Sequence, residues 1–313
     1  MVKRIIPPNG WGIKFDSRSC LSGLIVRSMD ESIPFNVLCN LSLMRDSATL
    51  TDMKTINLIL EHNQTIATIE FNRPHVLNAL NREAMTAFAQ AVKTVADDAN
   101  IRVVILTGAG DQAFCSGGDL NELSTLTTES EAREFSQLMT SALAELEALP
   151  IPVIGAINGY ALGGGSEIAL ACDMRIVDQS AKLGFVQARL ALTPGWGAGN
   201  RLLWAVGYAQ AMELLLRASP LSADDLVRLR LVNQVTETGQ ALATAKQFAQ
   251  TIVGWDADVV RGIKRLLRAG VELPASEARQ VEADLFPPLW AGQAHLDAVE
   301  QFLTKQRQKQ IKD

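Results

Sequence analysis

The chain has 313 residues, of which 48% are hydrophobic and 20% charged, so it is long enough to bury a sizeable core in one large domain or two. That balance excludes disorder and fibrous repeats, and a net charge of −5 argues against general binding to nucleic acid or anionic membranes. Any anionic ligand must therefore meet a local cluster of cations.

Residues 1–52 show no sustained period and are interrupted by Pro7-Pro8, Asn9-Gly10 and Pro34. They lack the ordered regions of a secretory signal, and Asp16, Asp30 and Glu31 fit poorly with an organelle transit peptide. They are read as a poorly ordered extension, a tail or the product of an upstream start codon, and are excluded from the fold. From Lys54 the alternation in INLILE and TIATIEF predicts a hairpin with His62-Asn63-Gln64 at its turn. NRPHVLNALN reads as a loop, and Asn81 is a fair N-cap for a helix over 82–96. IRVVILT at 101–107 is a buried strand that turns at Gly108-Ala109-Gly110-Asp111, and AFCSGGDL follows. A helix then spans about 129–149 and ends at Pro150 and Pro152.

The centre of the chain is IPVIGAINGYALGGGSEIALACD, residues 151–173. Val153–Ile157 reads as a buried strand, and Gly163-Gly164-Gly165 leads into an apolar helix carrying Glu167. Two readings stand side by side. One is a tight glycine connection between strand and helix; the other is an oxyanion site, because the first helical turn leaves N–H groups without internal partners. Five glycines with Asn158, Ser166 and Glu167 make the stretch a poor membrane span. Beyond it, MRIV predicts a short strand and ARLALTPGWGAG a loop. Helical patterns follow at NRLLWAVG, 209–217, 223–230, 240–253, 258–269 and 275–305. Strands interleaved with helices, then a helix-rich end, predict a mixed α/β domain with helical appendages.

Other chemistries find little support. Gly108-x-Gly110-x-x-Ala113 follows a strand, but a dinucleotide fingerprint should open a helix, and Phe114–Gly118 is a poor helix start. Ser166 lacks the G-x-S-x-G frame, and His62, His75 and His295 are the only imidazoles. Cys115 is either a nucleophile or an inert residue in a packed turn. The four cysteines form no CxxC pair and no metal pattern, so a metal is not expected; thiols in a reducing compartment are. What remains is two glycine-bearing turns, AFCSGGD and GYALGGGSE, each after a buried strand. If they converge, their N–H groups can grip one carbonyl oxygen from two directions and stabilise a thioester enolate.

NRPHVLNALN, VVILTGAGDQAFCSGGDL and PVIGAINGYALGGGSEIALACD, in this order and spacing, resemble the crotonase family, also called enoyl-CoA hydratase/isomerase. The similarity runs from about Thr55 to Lys305. It implies a crotonase-like α/β fold of repeated ββα units over residues 53–250. It also implies a C-terminal helical region, 251–313, that makes trimers or hexamers and contacts CoA. By that resemblance Gly118 and Gly164 supply oxyanion-hole N–H groups and Glu167 is the first catalytic glutamate. Asp119, Arg189, Lys264, Arg265 and Lys305 fall among substrate contacts, the last three as cations for the CoA phosphates. CoA is then part of the substrate, no separate cofactor is needed, and a cytoplasmic (or mitochondrial matrix) acyl-CoA enzyme is expected.

One departure matters. Hydratases of this family usually carry a second glutamate in the segment matching FVQARLALTPG, and Arg189 stands at that position. Arginine cannot act as acid or base at ordinary pH. It either binds a substrate carboxylate through its planar fork or points outward as a solvated side chain. DLFPPLWAGQAHLDAVE and LTPGWGAG are similar to the ethylmalonyl-CoA decarboxylase branch, whose chemistry needs the oxyanion hole but not two water-activating acids. Hydration of a 2-enoyl-CoA, loss of CO₂ from a short α-carboxyacyl-CoA, and a non-catalytic binding role are therefore the readings to separate. An RNA-binding role is disfavoured, because residues 53–313 carry 23 basic against 29 acidic side chains.

Overall fold

The computed structural model describes residues 48–310. The expectation for residues 1–47 lies outside the described residues. Strand β1 (Ala48–Met53) pairs antiparallel with β2 (Ile56–Glu61), so the sheet begins inside the segment excluded as an extension. β2 and β3 (Ile66–Phe71) form the expected hairpin, and His62, Asn63 and Gln64 take positive φ at its turn.

From β3 onward the sheet is parallel. β4 (Val103–Gly108), β6 (Val153–Ile157), β8 (Met174–Asp178) and β10 (Gln234–Thr236) complete the order β1-β2-β3-β4-β6-β8-β10. All six residues of β4 and all five of β6 are buried, as a strand covered on both faces requires. One face carries Val104, Leu106, Val153 and Ile157, packed with α1 (Arg82–Asp97) and α3 (Glu129–Ala148). The other carries Val103, Ile105, Ile154 and Ala156 against Ala241, Ala245 and Ala249 of α8 (Ala241–Val253). The small alanine side chains let that helix approach the sheet closely.

Three main-sheet strands are each followed by a three-residue strand of a second, parallel sheet. These are β5 (Ala113–Cys115), β7 (Tyr160–Leu162) and β9 (Lys182–Gly184), in the order β5-β7-β9. This ββ repeat brings the glycine-bearing turns after β5 and β7 side by side. The first leads into α2 (Leu120–Leu123), the second into α4 (Gly164–Ala171). Asn81 caps α1 as expected, its side chain accepting from the Ala84 N–H at 2.9 Å. A single 275–305 helix is not found: α10 (Ala275–Ala291) and α11 (Gln293–Gln310) are separated at Gly292, which is extended with ψ 148°. Helices α5 (Ala198–Val206), α6 (Tyr208–Arg217), α7 (Ala223–Arg228) and α9 (Ala257–Glu272) complete the chain. Among the described residues no helix is long and apolar enough to cross a membrane.

Candidate active site

The site is built where the two glycine turns meet. Gly117 has φ +99°, a left-handed conformation that side chains other than glycine adopt at a cost. A Cβ there would also fall 2.9 Å from the Leu162 carbonyl and 3.1 Å from the Gly164 nitrogen. The turns therefore converge at backbone contact. A Cβ on Gly165 would overlap the Cys115 carbonyl at 1.8 Å, so α4 packs its first turn directly on β5. Gly163, at φ +53°, aims the chain into that helix, and its N–H donates to the Gly184 carbonyl at 2.8 Å.

The neighbouring peptides are tied down. Leu80 N–H donates to the Gly117 carbonyl (2.8 Å) and Asp119 N–H to the Leu80 carbonyl (2.9 Å). The N–H groups of Gly118 and Gly164 have no hydrogen-bond acceptor among the described residues. Two such donors on rigid, adjoining turns can hold an anionic oxygen, and the Gly164 group also stands at the positive end of α4.

Around this pair, the side chains divide by what they touch. Asp119 caps α2 and accepts from Arg73 Nη1 at 2.9 Å; the same Arg73 nitrogen donates to the Ala79 carbonyl. The pair braces the Gly117-Gly118 turn against the preceding loop, leaving Asp119 8% exposed. Ser166 donates to the Ala161 carbonyl (2.6 Å) and accepts from Gly184 N–H (2.9 Å), which ties α4 to the small sheet. Burial pushes the Cys115 thiol up to about 12, so it stays protonated and inert at neutral pH. Residues 113–115 form a strand, not a helix, which removes the dinucleotide reading of Gly108-x-Gly110.

Glu167 lies one turn into α4, 2% exposed. Its Oε1 accepts from Gln187 Nε2 (2.9 Å) and Gly195 N–H (3.2 Å), its Oε2 from Trp196 N–H (2.7 Å) and Ala198 N–H (3.0 Å). The carboxylate is thus anchored by a nest of backbone donors at the start of α5. These four partners were not singled out from sequence; the cluster Gly195-Trp196-Gly197 was the signal that backbone N–H groups are presented there. The Trp196 ring lies over Gly164, where a Cβ would fall 2.0 Å from its Cζ3 atom, and its edge meets Phe135 with centroids 5.9 Å apart.

The expected substrate cations are dispersed. Arg189 follows Gln187 on the 3₁₀ turn Gln187–Leu190, is exposed, and makes no ion pair or side-chain hydrogen bond among the described residues. Lys264 is 8% exposed and its ammonium is committed to Asp173 (2.7 Å) and the Ile151 carbonyl (2.9 Å). Arg265 is exposed beside a cleft of about 1630 Å³ lined by Trp255, Arg261, Arg268, Phe286 and Trp290, which contains none of Gly118, Gly164 and Glu167. Lys305 is exposed on α11. No group of three or more metal-ligating side chains occurs among the described residues.

Comparison with known proteins agrees with this construction. A family model described as enoyl-CoA hydratase/isomerase matches residues 61–311. A crotonyl-CoA hydratase of Syntrophomonas wolfei is 37% identical over 251 residues, 80% of this chain and 96% of that protein. An ethylmalonyl-CoA decarboxylase of Gallus gallus is 32% identical over 249 residues, 78% of this chain and 83% of that protein. The crystal structure of an enoyl-CoA hydratase from Bacillus anthracis superposes with a TM-score of 0.75 at 32% identity, covering 80% of this chain and 96% of that one. The fold is the crotonase fold that the motifs implied, and the chain belongs to the enoyl-CoA hydratase/isomerase family.

Proposed function

We propose that the chain is an acyl-CoA lyase of the enoyl-CoA hydratase type. It would hold the thioester oxygen between the N–H groups of Gly118 and Gly164, with Glu167 as the acidic group beside the reacting carbons. The observation that carries this reading is the pair of acceptor-free N–H groups on converging turns, one turn from a buried carboxylate. Such donors are worth most where negative charge develops on the oxygen, about 3–4 kcal/mol each in the transition state. In hydration, water adds OH to Cβ and a proton to Cα, passing through that enolate. The relatedness to a crotonyl-CoA hydratase supports a short 2-enoyl thioester as substrate.

A second reading, loss of CO₂ from a short α-carboxyacyl-CoA, is favoured by a specific feature. All four lone-pair positions of Glu167 already have donors, and the one side chain facing it is the neutral amide of Gln187, while Arg189 two residues on is exposed. A two-acid grip on water is therefore missing, whereas an enolate still finds its two N–H groups. In that reaction Arg189 would reach the substrate carboxylate. Under either reading Arg265 and Lys305, exposed and without an ion pair among the described residues, would meet the CoA phosphates, Lys264 would stiffen the helix that carries Arg265, and the chain would work as a homotrimer or hexamer.

The deciding experiment incubates the full chain with crotonyl-CoA and with ethylmalonyl-CoA and follows products by mass spectrometry. Hydration gives a gain of one water and a large loss of kcat in Glu167→Gln. Decarboxylation gives loss of CO₂, with Arg189→Ala raising KM for the carboxylated thioester. Binding of CoA esters without turnover of either substrate overturns the lyase assignment.

A further inference from the structure

Two of the four donors to Glu167, the N–H groups of Trp196 and Ala198, meet the same oxygen, Oε2, at 2.7 and 3.0 Å. Between them lies the Trp196–Gly197 peptide, whose carbonyl accepts from Arg201 Nη1 at 2.6 Å. Gly197 takes φ +98°, and a Cβ there would fall 2.8 Å from that same Nη1, so the turn is fitted closely to the guanidinium. The other edge of the guanidinium is held by Glu147, in the last turn of α3. Arg201 Nε donates to Glu147 Oε1 at 2.9 Å and Nη2 to Oε2 at 2.7 Å. Both side chains are mostly buried, 9% and 15% exposed, in a pairing that uses both oxygens of the carboxylate. A second cation, Arg268 of α9, stands 3.6 Å from Glu147 Oε1. A planar fork with donors on two edges holds a carboxylate and a peptide oxygen at a fixed separation and angle, which a point-like ammonium does not. The clamp makes no hydrogen bond to either glycine turn.

Resting on the lyase reading above, we propose that Arg201, clamped by Glu147, is a positioning residue that aims the Glu167 carboxylate at the reacting carbons. The Glu167 side chain leaves α4 through several rotatable bonds, so its direction is set by the donors it meets. Two of those donors sit on a turn with glycine at 195 and 197, the residue type that constrains a backbone least. Arg201 supplies the missing constraint from the first turns of α5, where its own N–H also donates to the Gly197 carbonyl at 3.4 Å. Position thus passes from α3 through Glu147 to Arg201, from Arg201 to the turn, and from the turn to Glu167 on α4. A displacement of about 1 Å, too small to expose the carboxylate, can cost about 100-fold in rate. The donors at Gly118 and Gly164 stand outside this relay, so the loss should fall on kcat and not on KM.

The test is steady-state kinetics of the full wild-type chain, Arg201→Lys, Glu147→Gln and Glu147→Asp on crotonyl-CoA and ethylmalonyl-CoA. Arg201→Lys and Glu147→Gln are repeated in a Glu167→Gln background, with slow turnover followed by mass spectrometry. Lysine keeps the charge but bridges only one of the two partners, and kcat is expected to fall about 100-fold with KM within about 2-fold of wild type. Glutamine at 147 has the same shape with a single acceptor oxygen, leaving Arg201 and Arg268 facing a neutral group; a loss of about 10-fold in kcat is expected. Glu147→Asp keeps both acceptors and should retain most of the activity. In the Glu167→Gln background the same substitutions should cost little more, because the group they position is already gone. A merely structural clamp would lower the unfolding temperature and cost the same factor in both backgrounds. Wild-type kcat in Arg201→Lys, or an undiminished loss in the Glu167→Gln background, overturns the inference and leaves the lyase reading standing. If Arg201→Lys fails to fold, the isosteric Glu147→Gln decides by the same two readings. A wild-type chain inactive on both thioesters overturns the lyase reading, and this one with it.

Discussion

Trp196 joins the two halves of the site through its backbone and its ring at once. Its N–H donates to Glu167, its carbonyl accepts from Arg201 Nη1 at 2.6 Å, and Arg201 is held in turn by Glu147. The peptide is thereby fixed on both sides, and the indole is held over Gly164 by the same constraint. Gly164 is consequently required for space as well as for its N–H: a methyl there meets a ring that is 4% exposed and has nowhere to move. Gly164→Ala is expected to lose about 1–3 kcal/mol of stability from overpacking and about 10²–10³-fold in kcat as the donor is displaced. Adding Trp196→Leu should recover part of the stability, since the two sites share one contact. Urea unfolding of the single and double variants measures this, and a Gly164→Ala chain as stable as the wild type would mean that the ring is not seated there.

At the scale of elements, the edge strand β1 shows where local pattern stops being informative. Long buried runs were legible: IRVVILT and PVIGAI are apolar because both faces of β4 and β6 are covered, and Asn81 announces α1 by its capping chemistry. The strands β5, β7 and β9 were not, because three residues cannot display a period, yet these strands bring the oxyanion turns together. Gln187 was missed for a different reason: a glutamine has no intrinsic chemistry to flag, and its meaning comes from the carboxylate it meets across twenty residues of sequence. The donors at Gly195, Trp196 and Ala198 are backbone groups, which the identity of a side chain does not announce. All of β1 but Met53 was excluded with the residues before it, although Ala48 pairs with Leu60 and Asp52 with Asn57. Truncation after residue 53 is therefore expected to be less stable and more aggregation-prone than truncation after residue 47, because it uncovers the hydrogen-bonding edge of β2. Thermal unfolding of the two truncated chains side by side reads the difference, and identical midpoints and solubility would count against β1 as a stabilising strand.

At the scale of the whole molecule, α10 poses a problem that one chain does not solve. Seventeen residues long, it has no buried residue, and Phe286 and Trp290 are 61% and 59% exposed. Leu296, Val299, Phe302 and Leu303 of α11 and Ile263, Leu267 and Val271 of α9 are exposed as well. A helix in water hides one apolar face, and a monomer rarely leaves so many large apolar side chains uncovered on neighbouring elements. The short-range order of α10 is also weak by composition, with Pro287 and Pro288 inside the helix, so packing must supply what propensity does not. The proposed trimer or hexamer meets both needs by burying these faces between copies. Sedimentation equilibrium is expected to return three or six times the chain mass. Phe286→Asp combined with Trp290→Asp should shift the chain to smaller species with a lower unfolding temperature, because a buried carboxylate at an apolar contact is strongly unfavourable. A monomer at micromolar concentration, with a mass and stability that the double substitution leaves unchanged, would show that these faces are not covered by further copies of the chain.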